Sequence, residues 1–300
     1  MEKQILDRIK RTEQSAADLY GKVRTLSIKV SSTIGKLIGK NYVYVSANGT
    51  PTQNAIELQT AYNLAKTITG LSTTNRFKII MGTGKYQFTG QFLIDTQYID
   101  FVSLTGDADV EIINDIYVTA NDVFLKGLKT SLLFNIGTNL SLLVCDTCVG
   151  LGNWSFGYNG PYVNSSTFNN CIGGMFAFTS GFGVSGKFTN CIGGDYSFYY
   201  RTSGVFTNCI GGNYSFGRSF ASGTFNNCIA GIDSFGTYSV ASGTFNNCVG
   251  GIRSFGGGGG DGILTGKLYY CRLTSGTFIT VSNGGRTYYC VDGNGNTNNQ

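Results

Sequence analysis

Residues 224–236 read TFNNCIAGIDSFG, and residues 244–256 read TFNNCVGGIRSFG. Three earlier stretches say nearly the same: TFNNCIGGMFAF from Thr167, KFTNCIGGDYSF from Lys187 and VFTNCIGGNYSFG from Val205. A repeat of about twenty residues is one structural unit that cannot bury its apolar face alone, so it stacks on copies of itself. The chain is therefore read as an elongated solenoid.

Cysteine sets the register. Cys148, Cys171, Cys191, Cys209, Cys228, Cys248, Cys271 and Cys290 follow one another at 23, 20, 18, 19, 20, 23 and 19 residues. Asn170, Asn190, Asn208, Asn227 and Asn247 immediately precede five of them; Tyr270 and Tyr289 take that place in the last two. Phe lies seven residues after Cys at Phe178, Phe198, Phe216, Phe235 and Phe255, and Gly five before it at Gly186, Gly204, Gly223, Gly243, Gly266 and Gly285. Length varies almost wholly between that Phe and the next Gly. Such a rung is too short for two helices. Its segments between glycines are short and rich in Phe, Ile, Val, Tyr and Thr, which marks strands. One short strand per edge gives a coil of parallel strands, rising about 4.8 Å per rung, or on the order of 34 Å from Cys148 to Cys290.

Phe168 and Cys171 are three apart, so a straight strand would point them to opposite faces. Burying both requires a bend, and Asn170 is the natural place, because Asn tolerates the left-handed conformation. Stacked asparagines would then hydrogen-bond along the axis. The alternative is a straight strand with an exposed Cys row. The expected structural ladder is Cys171, Cys191, Cys209, Cys228 and Cys248 with Asn170, Asn190, Asn208, Asn227 and Asn247. Less regular rungs are expected upstream, at IDFVSLTG from Ile99, NDVFLKGLKT from Asn121 and NLSLLVCDTCVG from Asn139.

The segment before these rungs reads as a strand and turn (NYVYVSANGT from Asn41), a short amphipathic helix (NAIELQTAYNLAK from Asn54) and a first rung (RFKIIMGTGKYQFTG from Arg76). This order resembles the opening of right-handed parallel β-helices of the pectin-lyase-like superfamily, in which a helix covers the first coil. The resemblance spans roughly residues 41–290 and holds no catalytic motif, so it bears on fold rather than activity. The expected class is all-β: a single-stranded right-handed parallel β-helix behind an N-terminal α-helical stem. The divisions are 1–40 (stem), 41–90 (opening with capping helix) and 91–300 (β-helix).

Residues 1–40 differ in kind. Ile5, Ile9, Leu19, Val23, Leu26, Val30 and Leu37 fall on a 4-3-4-3 spacing completed by Thr12, Ala16 and Thr33, the signature of a coiled coil. The alternative is one amphipathic helix lying on the body. β-Branched a positions with Leu at d favour a dimer. A helical stem feeding a β-helix instead resembles a phage tail fibre or tailspike, and that resemblance implies a homotrimer. It also implies a stem that joins other virion proteins, a body that meets a host receptor or surface glycan, and assembly in the host bacterial cytoplasm into a virion.

Charge is placed unevenly. Residues 1–40 carry nine Lys/Arg and four Asp/Glu, while the other 260 carry thirteen of each. Because the stem charges lie on the outer faces of a heptad helix, they read as a solvated face or a socket for an acidic partner protein, not as a nucleic-acid site. The first residues are polar and charged, so no secretory signal is expected, and no run reaches membrane-spanning length.

The chain has no histidine, which excludes the usual serine-triad and Cys–His catalysis. Cys145 and Cys148 form C-x-x-C in strand-like sequence without a second ligand pair, so a structural role and a column of free thiols are expected, with no metal or cofactor. Past Glu111 there is no Glu. Asp195 and Asp233 lie two rungs apart at different offsets from Cys, a poor pair for glycoside hydrolysis. The acidic stretch Asp100, Asp107, Asp109, Glu111, Asp115 and Asp122 reads as a solvated rim. No catalytic residue is assigned; a tailspike depolymerase, acting as glycosidase or polysaccharide lyase, is the alternative function. Binding is easier to motivate. Tyr196, Tyr214, Asp233 and Arg253 fall five after Cys and should stack as a row, with Tyr199, Tyr200, Arg201, Arg218 and Tyr238 at the variable corner. Rows of Tyr and Arg suit glycan or protein contact, and equally an interface between subunits or simple aromatic stacking.

Overall fold

The computed structural model describes residues 41–132, 134–136, 142–156, 166–178, 185–199, 201–217, 219–236, 240–255, 263–275 and 285–298, with Gln14, Asp18, Leu19, Lys22, Val23 and Leu26. Leu19, Val23 and Leu26 are helical and exposed. Ile5, Ile9, Val30 and Leu37, the rest of the expected seam, lie outside the described residues.

From Asn41 the chain is a parallel β-solenoid. Strand β1 (Tyr42–Val45) leads to helix α1 (Pro51–Lys66), then to β2 (Phe77–Met81), β3 (Gly84–Gln87), β4 (Phe92–Ile94) and β5 (Ile99–Ser103). β2, β3 and β4 belong to three different sheets, and β5 returns to pair with β2 in parallel, Phe77 opposite Ile99. Each coil thus turns through three sides. The first side is one twelve-stranded sheet running the whole length, from β1 to Arg286–Tyr288. The second is stitched by bridges joining Ile172, Ile192, Ile210, Ile229 and Val249 in sequence. The third carries Arg201–Thr202, Phe220–Ala221, Val240–Ala241 and Ile263–Leu264.

On the first side each T-F-N strand alternates, with Phe inward and its neighbours outward. The chain then bends. Asn170, Asn190, Asn208, Asn227 and Asn247 sit at φ between 51 and 54°. The bend lets Phe168 and Cys171 both reach zero exposure. Each asparagine amide donates to the side chain one rung earlier: Asn190 to Asn170 at 3.0 Å, Asn208 to Asn190 at 3.1 Å and Asn227 to Asn208 at 3.1 Å. Asn208→Ala is expected to cost about 1–2 kcal/mol for the left-handed backbone and about 1 kcal/mol for the ladder bond. Asn208→Gly should lose only the ladder bond, so its chemical-denaturation midpoint falls between those of alanine variant and parent.

In the regular rungs the interior is built from three columns, while the coils before them bury a mixture of Val, Ile, Leu and aromatic side chains. Phe168, Phe188, Phe206, Phe225 and Phe245 form one ring stack; Phe156, Phe178, Phe198, Phe216, Phe235 and Phe255 form another. Within each, centroids lie 4.8–5.0 Å apart and nearly parallel. That spacing is the rise between strands, so the backbone ladder itself sets the ring contact. Between the stacks the rings meet edge to face, for example Phe206 and Phe216 at 5.7 Å. The third column is cysteine. All nine cysteines are free and buried. From Cys191 to Cys271 each thiol donates to a phenylalanine carbonyl of an earlier rung, as from Cys191 to Phe168 at 3.3 Å and from Cys209 to Phe188 at 3.5 Å. Glycine at the opposite corner has a steric cause: a Cβ on Gly223 would sit 2.3 Å from the carbonyl oxygen of Gly204.

Both ends are covered. Helix α1 starts with a capping box between Thr50 and Gln53, and buries Leu58, Ala61, Tyr62 and Ala65 completely. The Tyr62 hydroxyl donates to Asp95 at 2.8 Å and accepts the Asp95 backbone N–H at 2.8 Å; burial pushes its phenol up to about 12. At the other end Thr297–Asn298 lies antiparallel on Cys290–Val291, closing that sheet edge.

Candidate functional site

After each Cys the second side presents a repeated outward pattern. The residue one after Cys points out: Ile172, Ile192, Ile210 and Ile229 are 39–48% exposed. Four after Cys, Met175, Ile232 and Ile252 are exposed as well. The isoleucines make a continuous apolar strip, and Met175, Ile232 and Ile252 widen it at its two ends, while Asp195 and Asn213 hold that second position between them.

Beside the strip runs the row five after Cys. Phe176, Tyr196, Tyr214, Asp233 and Arg253 all adopt left-handed backbone, with φ between 54 and 58°. Two residues on, Phe178, Phe198, Phe216, Phe235 and Phe255 are left-handed again, with φ between 52 and 57°. Between them sits a small buried residue, Ala177, Ser197, Ser215, Ser234 or Ser254. Two left-handed residues around one small one turn the chain sharply back into the core. Each bulky left-handed residue costs about 1–2 kcal/mol, and stacking one rung on the next offsets about 0.5–1.5 kcal/mol per ring pair.

The row begins one rung earlier than the five-residue offset predicts. Trp154 lies six after Cys148, yet it stacks on Phe176 at 4.3 Å. Phe176 stacks on Tyr196 at 4.7 Å and Tyr196 on Tyr214 at 4.8 Å. Tyr199 meets Phe176 and Tyr196 edge-on, at 6.3 and 5.4 Å. Phe176 and Tyr196 therefore turn both ring faces to neighbours. The row offers rims and hydroxyls outward, not flat platforms on which a sugar could lie. Its far end is ionic. Asp233 is only 1% exposed, and Arg253 grips it with two parallel bonds, Nε to Oδ1 at 2.7 Å and Nη2 to Oδ2 at 2.5 Å. This corrects the reading of Asp233 as a surface group: its carboxylate lies beneath the arginine, which alone of the pair is exposed. Arg201 is exposed and lies over the Phe220 ring, 4.9 Å from its centre. Tyr200, Arg218 and Tyr238 lie outside the described residues.

The carboxylates are occupied by structural work. Asp195 accepts the Asn213 backbone N–H at 2.7 Å, one rung on. Asp100, expected on a solvated rim, is 2% exposed; it binds the Arg76 guanidinium and the Phe124 backbone N–H because it lies inside the first side, not at its edge. Burial pushes the Asp109 carboxyl up, but hydroxyls of Ser103, Thr105 and Thr83 outweigh it and hold the group below its ordinary value. Glu111 faces Lys85 at 3.4 Å. Asp95 is likewise held down, since bonds from Lys66, Tyr62 and Thr96 outweigh its burial. An open depression of about 660 Å³ lies beside β1 and β2, lined by Tyr42, Arg76, Lys78 and Ile80, but its arginine is committed to Asp100. Among the described residues no three His, Cys, Asp or Glu side chains converge as metal ligands. Cys145 stands in the phenylalanine register opposite Phe168, and Cys148 in the cysteine column. Among the described residues no helix is long and apolar enough to cross a membrane.

No protein-family model, curated protein or solved structure matches the chain.

Proposed function

We propose that the protein is a structural appendage of a virion, of the phage tail fibre or tailspike kind. Residues 1–40 attach it and join copies, and the β-helix presents a side surface to a host receptor or surface glycan. The observation that carries this reading is the exposed apolar strip, Ile172 to Ile229 with Met175, Ile232 and Ile252, on a stiff coil. A strip of that length suits copies of the same chain packed side by side, and the resemblance to tailspikes makes three copies the expected number. Recognition then falls to edges and ends that remain outside the bundle. The depolymerase alternative finds no support among the described carboxylates, since Asp100, Asp195 and Asp233 are each engaged in holding the coil.

The test is oligomeric mass by light scattering, on the full chain and on a variant starting at Asn41. The full chain should run as a trimer. Removing residues 1–40 should weaken it, and Ile210→Asp with Ile229→Asp should dissociate what remains without changing the β-sheet circular dichroism. A monomeric full chain would overturn the proposal.

A further inference from the structure

The last two rungs break the repeat at several outward positions together. In the three rungs before them the first-side strands carry small neutral outward residues, Val205 and Thr207, Thr224 and Asn226, Thr244 and Asn246; further upstream a single Lys187 holds the first of these positions, opposite neutral neighbours. The next strands carry Lys267 and Tyr269, then Arg286 and Tyr288. Their register places Lys267 directly opposite Arg286 and Tyr269 opposite Tyr288. At the corner, where asparagines stack upstream, stand Tyr270 and Tyr289, 59% and 63% exposed and left-handed. The tyrosines stack in two pairs, Tyr269–Tyr288 at 4.8 Å and Tyr270–Tyr289 at 5.3 Å. Arg286 donates to the Tyr288 hydroxyl at 3.4 Å, which turns the guanidinium toward the rings.

Like charges directly opposite on adjacent strands destabilise a sheet. Among the described residues no carboxylate forms an ion pair with Lys267 or Arg286. Asp292, the one acid described in these rungs, accepts from the backbone N–H groups of Asn294 and Asn296, at 2.9 and 2.8 Å. The block is therefore two adjacent cations beside exposed aromatic rings, with no ion-paired carboxylate among the described residues. Cations bind carboxylate or phosphate, and aromatic rings at a wet surface take the C–H faces of sugars. We infer that this C-terminal corner is a binding site for an acidic polysaccharide, one whose repeating sugars carry carboxylates or phosphodiesters. The inference rests on the recognition half of the function proposed above, and moves recognition from the side row to the end of the coil.

The experiment is biolayer interferometry on the intact protein with hyaluronate, polygalacturonate and a glycerol-phosphate teichoic acid. Neutral dextran and a single-stranded oligodeoxynucleotide serve as comparisons. At least one acidic glycan should bind and dextran should not. Lys267→Gln with Arg286→Gln should weaken that binding about tenfold or more, and raised salt should do the same. Tyr270→Ala with Tyr289→Ala should weaken it comparably at unchanged charge. These side chains are exposed, so native melting of each variant is the expected control. Binding to none of the acidic glycans, or equally to dextran, overturns the inference. So does equal binding of the oligonucleotide with tyrosine variants that behave as parent, which would mark a patch for any polyanion. If the protein attaches to cells and none of the four substitutions matters, recognition lies elsewhere and the virion reading stands. If the native protein attaches to neither cells nor glycans, the recognition half of that reading falls as well.

Discussion

At pH 10 the coil is expected to be several kcal/mol less stable than at pH 8. The cause is the cysteine column. Burial pushes the thiols of Cys191, Cys248 and Cys271 above their ordinary value, Cys271 to about 12. In the unfolded chain a thiol ionises near pH 8.5. Between that value and the folded one, the native state holds protons that the unfolded state has released, so stability falls as pH rises. Each such thiol contributes about 1.4 kcal/mol per pH unit. Three together give about 4 kcal/mol per unit, or roughly 6 kcal/mol by pH 10, comparable with the whole stability of many domains. Below about pH 8 these three thiols are protonated in both states and their slope vanishes; Cys290, held down to about 7 by the bond from Cys271, adds a smaller rise in stability between about pH 7 and 8.5. Urea midpoints measured from pH 7 to 10.5 should drop steeply above about pH 8.5. The triple variant Cys191→Ser, Cys248→Ser and Cys271→Ser should lose most of the drop. A parent protein equally stable at pH 7.5 and 10 would mean that the thiols are not sealed in the core.

The column could be read from the chain because one residue type recurs at one offset, and because asparagine declares its own conformation. Asn tolerates a left-handed backbone, so the bend between Phe and Cys was legible at Asn170 and its copies. The second bend was not. Phe178, Tyr196, Tyr214 and Arg253 carry no left-handed preference; they adopt it because stacking on the neighbouring rung compensates, a tertiary effect invisible in a single repeat. Isoleucine misleads in the opposite sense. Residue type alone would not place Ile172, Ile192, Ile210 and Ile229 at the surface; the bend at Asn fixes Cys inward and so turns the next residue out. Asp233 was misplaced for a related reason. Its offset from Cys is that of an outward row, but Arg253 on the next rung folds over it and closes it from water. Trp154 was missed because one extra residue shifts its offset, while the ring still finds the stack. The C-terminal block was legible only as a departure from the repeat, in Tyr270 and Tyr289. What made it a site was the register that sets Lys267 against Arg286.

Cys209→Asp should be among the most damaging single changes in the coil. Cys209 has no exposed surface and belongs to the buried apolar core that holds the two phenylalanine stacks. Its thiol makes only weak bonds, to the carbonyls of Phe188 at 3.5 Å and Thr207 at 3.4 Å. Aspartate differs little from cysteine in bulk but brings a carboxylate with no cation near the column. An uncompensated buried charge costs roughly 3 kcal/mol or more. In a stacked coil the damage also spreads, since each rung is held by its two neighbours. Cys209→Ser separates charge from shape: the hydroxyl can make the same donation, and the cost should stay under about 1.5 kcal/mol. The aspartate variant should regain stability as pH falls from 7 toward about 4, below which the carboxyl is neutral in both states. Denaturation midpoints of parent, serine and aspartate forms at pH 7 and pH 4 test this together. An aspartate form that melts with the parent at pH 7 would contradict the burial of the column, and with it the bend at asparagine that puts the column inside.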